Sequence, residues 1–156
     1  MGADDDRRRM VQEQLRARGI RDERVLEAMA AVPRELFLGH DQRRRAYADE
    51  AVPIAAGQTI SQPWVVARMT ELLAPAAGER VLELGTGSGY QAAILAALGA
   101  DVTSLERHDV LAAQAAARIA DLELPGRVTI RTTDGSPCHA EGPPWDCTIV
   151  PRAAPS

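Results

Sequence analysis

The sequence predicts an α/β protein with a doubly wound, mainly parallel sheet behind an N-terminal helical segment. Three observations predict it. From residue 80 onward, short apolar runs alternate with Ala-rich helical stretches in the order strand, helix, strand, helix, strand. A glycine turn, Gly85-Thr86-Gly87-Ser88-Gly89, follows the first of these runs. Up to Pro75 the apolar spacing is helical and broken by prolines, with no such alternation. The expected division is 1–75, a helical segment with a loop packing on the core, and 76–156, a partial ligand-binding sheet domain. The 156 residues, 46% hydrophobic and 26% charged, are enough for one domain with an ordinary core and argue against a disordered chain.

Each element has a local reason. Arg7 to Arg18 can form a helix with Met10, Val11 and Leu15 as a thin apolar stripe. Asp22 suits an N-cap, ahead of a helix whose apolar positions are Val25, Leu26, Met29 and Ala30, and Pro33 ends it. Ala46 to Thr59 contains Pro53 and Gly57 and reads as extended. Pro63 fits the first turn of a third helix, with Val65, Val66, Met69, Leu72 and Leu73 as its expected buried face and Pro75 and Gly78 as its stop. Strands are expected at Arg80–Leu84, Asp101–Glu106, Arg127–Arg131 and Trp145–Val150. Helices are expected at Tyr90–Leu98, closed by Gly99, and at His108–Leu122, closed by Pro125-Gly126.

Composition excludes several classes. No run approaches the roughly 18 apolar residues of a membrane span, and the N-terminus has neither the apolar core of a signal peptide nor a myristoylation pattern. A net charge of -4 argues against a nucleic-acid partner, and Arg43-Arg44-Arg45 reads as a solvated face. Two cysteines make no disulfide scaffold, and Cys138, His139 and Cys147 lack the paired spacing of a zinc site, so no metal is expected. His40 and His108 are expected on the surface. The expectation is a cytoplasmic monomer with no membrane or nucleic-acid partner. Every basic residue is Arg and Asn is absent, a bias attributed to base composition.

The chemistry-bearing residues fall at strand ends. In an open parallel sheet, ligands bind beyond the carboxyl ends of the strands. The turn after the first strand is G-x-G-x-G, which is not the dinucleotide fingerprint G-x-G-x-x-G. Glu106 ends the second strand, 21 positions after Gly85, about where an acidic side chain accepts hydrogen bonds from a ribose. Asp134-Gly135 ends the third, within reach of an adenine edge. Taken singly, the glycines fit a structural turn and the acids fit solvated turn residues; their joint placement favours a ligand site.

With those residues in view, Glu83 to Gln91 ("ELGTGSGYQ") resembles the first motif of class I S-adenosylmethionine-dependent methyltransferases, a Rossmann-like fold. The more specific "GQTISQP", Gly57 to Pro63, resembles the signature of the protein-L-isoaspartate (D-aspartate) O-methyltransferase family. "AVPRE" from Ala31, "ARMTELL" from Ala67 and "SLER" from Ser104 fall in the family's order. The resemblance implies methyl transfer from S-adenosyl-L-methionine to the α-carboxylate of L-isoaspartyl or D-aspartyl residues in damaged proteins or peptides, for repair. It implies Ser61 as the active-site serine and Gln58, Thr59, Ile60 and Ser61 as a loop over the cofactor. It also implies Glu83, Gly85, Thr86, Gly87, Ser88 and Gly89 around the methionine part, Glu106 on the ribose hydroxyls with Arg107 beside it, and Asp134 and Gly135 near the adenine. Without the motif, Ser61 also fits a plain helix N-cap.

Two local features and the chain's extent differ from the family pattern. Thr133 stands where glycine is usual before "DG", and a β-branched residue resists positive φ. Pro151 and Arg152 follow the last strand in place of small residues. Relatives of this type continue through about three more strands after the position of Ser156, which leaves the last strand as an expected apolar edge. Two alternatives stay open: a truncated, inactive or cofactor-binding-only homologue, or a related carboxylate methyltransferase acting on a modified peptide.

Overall fold

A computed structural model describes residues 2–133 and 144–151. The first helix, α1 (Ala3–Met10), carries Asp4, Asp5 and Asp6 in its first turn and Arg7, Arg8 and Arg9 in its last. That order complements the helix dipole. It runs on through a π-helical turn, Val11–Leu15, and a 3-10 turn, Arg16–Arg18, to the left-handed Gly19. Met10, Val11 and Leu15 are buried as the stripe predicts. In α2 (Glu23–Ala31) the Asp22 carboxylate caps the Arg24 amide at 3.0 Å. Val25, Leu26 and Met29 are buried, but the fourth inward residue is Ala28, and Ala30 faces solvent.

The stretch read as extended contains a two-stranded antiparallel ribbon, β1 (Val52–Pro53) with β2 (Thr59–Ile60), around a tight turn at Ala55–Gly57. Next comes α3 (Pro63–Leu73) with Pro63 in its first turn. Its buried face differs from the predicted one. Val66, Ala67 and Thr70 point inward, Val65, Met69 and Leu73 are partly covered, and Leu72 is 67% exposed. The reason is a polar contact that apolar spacing does not report. Gln91 donates to the Thr70 hydroxyl at 2.8 Å, and Thr70 donates to the Val66 carbonyl at 2.8 Å, which turns the Thr70 side toward the core.

The remaining elements follow in the expected order: β3 (Arg80–Leu84), α4 (Tyr90–Ala97), β4 (Asp101–Glu106), α5 (Asp109–Ala120), β5 (Arg127–Thr132) and a short β6 (Cys147–Ile149). All pairings in this sheet are parallel and the order is β5-β4-β3-β6, with the chain reversing direction across the sheet at β3. β6 is shorter than the run Trp145–Val150. Trp145 instead lies under the Arg80 guanidinium, 4.7 Å from the ring centre, and the Asp146 carboxylate accepts from the Arg80 amide at 2.7 Å. One apolar cluster joins the N-terminal helices to α4 through Leu26, Met29, Phe37, Tyr90 and Ile94. A second fills the space between sheet and helices through Val81, Leu95, Val102 and Ile149. Among the described residues no helix is long and apolar enough to cross a membrane.

Candidate active site

β3 and β4 are adjacent, so the turn after β3 and the last residue of β4 share the carboxyl edge of the sheet. In the turn, Gly85, Gly87 and Gly89 all have positive φ (94°, 56° and 91°). They have different surroundings. A Cβ on Gly89 would stand 2.9 Å from the Ala115 Cβ, so this glycine lets α5 pack close. A Cβ on Gly87 would meet nothing within 4 Å, so the middle of the turn faces open space.

Glu106 reaches across to that turn. One carboxylate oxygen accepts from the Gly87 amide at 2.9 Å, and the other from the His108 amide at 3.0 Å, at the start of α5. Each oxygen keeps a lone pair for a further donor. Arg107 is exposed, and His108 is half-buried rather than fully on the surface, with Arg107 Nε donating to its Nε2 at 3.4 Å.

Beneath the turn lies a buried polar chain. Glu83 is opposite Ser104 in the β3–β4 register; the Ser104 hydroxyl donates to Glu83 Oε1 at 2.5 Å, and Thr86 Oγ1 lies 2.5 Å from Ser104 Oγ. The other carboxyl oxygen of Glu83 is buried without a hydrogen-bond partner. Burial pushes the Glu83 carboxyl up to about 8; the Ser104 hydrogen bond opposes this and the Glu106 charge adds to it. At neutral pH this acid is therefore mostly protonated. Ser88 closes the turn, its hydroxyl accepting from the Tyr90 amide at 3.2 Å.

Gln58 to Ser61 lead from the tight turn through β2 to the start of α3. Gln58 is partly exposed and bonds within its own turn, and Thr59 is exposed. Ile60 is 2% exposed and packs in the core, so its side chain anchors the loop. Ser61 does not cap α3: that position belongs to Gln62, which makes no side-chain cap bond. The Ser61 hydroxyl points instead to the Pro151 carbonyl, 3.5 Å away, just beyond β6. β6 pairs with β3 up to Ile149 and Glu83, so Ser61 sits at the same sheet edge as the glycine turn. Thr133 needs no positive φ; its amide donates to the Glu106 carbonyl at 2.8 Å, prolonging the β4–β5 ladder. Asp134, Gly135, Cys138, His139 and Arg152 lie outside the described residues. Cys147 is half-buried, and burial raises its thiol pKa.

The sequence reading missed Arg34, Ser104 and Tyr90. Arg34 is wholly buried and donates to the Ser61 carbonyl at 2.8 Å. Their only sequence signal is membership of the short motifs "AVPRE", "SLER" and "ELGTGSGYQ".

Comparison with known proteins places the fold and the family. A solved protein-L-isoaspartate O-methyltransferase superposes with a TM-score of 0.74 at 26% identity, over 92% of this chain and 47% of its own. A Plasmodium falciparum protein solved in complex with S-adenosyl-L-homocysteine shares the fold, with a TM-score of 0.74 at 22% identity over 92% of this chain and 72% of its own. The fold is thus that of the α/β methyltransferases. The model of the family Protein-L-isoaspartate(D-aspartate) O-methyltransferase matches residues 6–156, and the chain belongs to that family. The protein-L-isoaspartate O-methyltransferases of Koribacter versatilis and Methanoregula boonei are 51% and 52% identical to it, over 96% and 97% of this chain and 67% and 69% of their own lengths. A third, from Rhodopseudomonas palustris, is 50% identical over 96% of this chain. The chain spans 60% of that relative's length.

Proposed function

We propose that this protein transfers a methyl group from S-adenosyl-L-methionine to the α-carboxylate of L-isoaspartyl or D-aspartyl residues in damaged proteins and peptides. The observation that carries the proposal is the convergence of the Ser61 loop and the Gly85–Gly89 turn, with Glu106 behind it, on one sheet edge, in a chain of this family. In this reading 76–156 hold the cofactor and 1–75 present the acceptor.

The residues fit such a cofactor. Glu106 offers free lone pairs to vicinal hydroxyls, Gly87 leaves room over the turn, and the orphaned Glu83 oxygen calls for a polar partner. Gly85, Thr86, Gly87, Ser88 and Gly89 would flank the amino-acid part, Arg107 would stand beside Glu106 at the ribose, and Asp134 and Gly135 would serve the base. When bound, the sulfonium supplies an electrophilic methyl group.

The acceptor needs no deprotonation by the protein. An α-carboxyl group has a pKa of about 3.5, so it is ionised at neutral pH. What the chain supplies is alignment and shelter from water. The Ser61 hydroxyl, not committed to capping α3, is free to exchange its long bond to Pro151 for one to the carboxylate. The first-turn amides of the 11-residue α3 favour an anion in the same place. This reading includes action in the cytoplasm, as a monomer and without nucleic acid; the net charge of -4 supports the absence of a polyanionic partner.

The test is mass spectrometry of a synthetic isoaspartyl peptide incubated with the protein and S-adenosyl-L-methionine. A mass gain of one methylene, lost on mild base treatment, is expected. An unmodified peptide contradicts the proposal.

A further inference from the structure

The geometry points to Arg34 as a positioning residue that fixes the Ser61 loop relative to the glycine turn. The inference rests on the function proposed above and assigns a role to a residue outside the proposed cofactor and acceptor contacts.

Arg34 is 0% exposed, an unusual place for a guanidinium. Among the described residues no carboxylate lies within ion-pair distance of it, so an ion pair does not explain the burial. Its contacts are instead with backbone and ring. Nε donates to the Ala46 carbonyl at 2.6 Å, and Nη2 donates to the Ser61 carbonyl at 2.8 Å. The guanidinium lies 4.9 Å from the ring centre of Tyr90, and Phe37 meets the same ring edge-on with centres 5.5 Å apart. Tyr90 directly follows Gly89 and is the first residue of α4. The backbone of Arg34 is fixed too, its amide donating to the Tyr47 hydroxyl at 3.1 Å.

One rigid side chain therefore touches both halves of the reaction site. Nη2 holds the carbonyl of the serine proposed to meet the acceptor, while Nε is tied to Ala46. Its face rests on Tyr90, the residue directly after the turn proposed to carry the donor. In-line transfer between two bound molecules depends on how these segments are spaced, and small displacements are costly. Lysine keeps the charge but cannot reproduce the fork or the flat stacking face. Glutamine keeps polarity and loses both charge and reach.

The experiment compares the parent with Arg34→Lys and Arg34→Gln. For each, the S-adenosyl-L-homocysteine Kd, kcat and KM for an isoaspartyl peptide, and amide hydrogen exchange over 58–64 are measured below the variant's Tm. A lost hydrogen bond to a charged donor predicts a rise of about tenfold or more in peptide KM for Arg34→Gln, with cofactor affinity kept within about twofold. Exchange over 58–64 should quicken by a similar factor, and Arg34→Lys should fall between. A residue that only filled the core would lower Tm and leave KM and this local exchange unchanged, which would overturn the assignment. If neither variant folds, the unaltered protein decides: the Arg34 guanidinium nitrogen resonances should move when the isoaspartyl peptide joins the cofactor-product complex, and an immobile signal overturns it. If the parent methylates no peptide, the functional proposal fails, while exchange over 58–64 still decides whether Arg34 holds the loop.

Discussion

Replacing Glu83 with Gln should change how stability depends on pH. The side chain is wholly buried, one oxygen bonded to Ser104 and the other unpartnered, and its pKa is pushed from 4.5 to about 8. Between those values the folded chain holds a proton at this position that the unfolded chain has released. Stability from this group is thus full below about pH 4.5 and declines as pH rises toward 8. One extra bound proton corresponds to about 1.4 kcal/mol per pH unit. Allowing for partial titration at both ends, the loss between pH 5.5 and 7.5 is roughly 2–3 kcal/mol. Glutamine has nearly the same shape, can still bond Ser104, and does not titrate. Urea unfolding of parent and Glu83→Gln at pH 5.5, 6.5 and 7.5 isolates the effect, because titrations not coupled to Glu83 cancel in the difference. The variant should gain on the parent by roughly 2–3 kcal/mol across this range. A difference that stays flat with pH would refute the reasoning.

Three other outcomes are expected. Glu106→Ala should weaken S-adenosyl-L-homocysteine binding by roughly 1.5–3 kcal/mol, about 10- to 150-fold, measured by titration calorimetry; an unchanged Kd would remove Glu106 from the site. Gly89→Ala adds a Cβ 2.9 Å from Ala115 to a positive-φ residue and should cost about 2–4 kcal/mol in unfolding, whereas Gly87→Ala, with open space around it, should cost about 1–2 kcal/mol. Glu71 accepts the Asp22 and Arg21 amides at 3.0 and 2.8 Å, and these bonds, with Arg68, hold its carboxyl below 4.5. Its stabilisation is full above pH 4.5 and lost as pH falls through the lowered value. Glu71→Gln should therefore lower Tm at pH 7, by about 1–2 kcal/mol in stability, and the gap should close in acid.

The elements legible in the sequence were those set by local pattern. β3 is a mostly apolar run of strand length, β4 and β5 are short β-branched segments between turns, and Pro63, Asp22 and Gly99 act within a residue or two of themselves. The Gly85–Gly89 turn and Glu106 were legible because a parallel sheet puts consecutive strand ends on one edge. What was not legible depends on partners distant in sequence. Thr70 replaces Leu72 on the inner face of α3 because Gln91, 21 residues away, meets it. Ser61 fitted a helix cap from its neighbours, yet its hydroxyl points to Pro151, 90 residues on. Arg34 has a charged residue's usual surface signature in the sequence, and it is the assembled Ala46 and Ser61 carbonyls and the Tyr90 ring that account for its burial.

What sets the proposed reaction apart is which carboxylate receives the methyl group. The most direct measurement is the initial rate of labelled methyl transfer from S-adenosyl-L-methionine to an isoaspartyl peptide and to its aspartyl twin of identical sequence. Transfer to the isoaspartyl peptide and none to the aspartyl one is expected. Equal rates on both, or cofactor binding with transfer to neither, would contradict it.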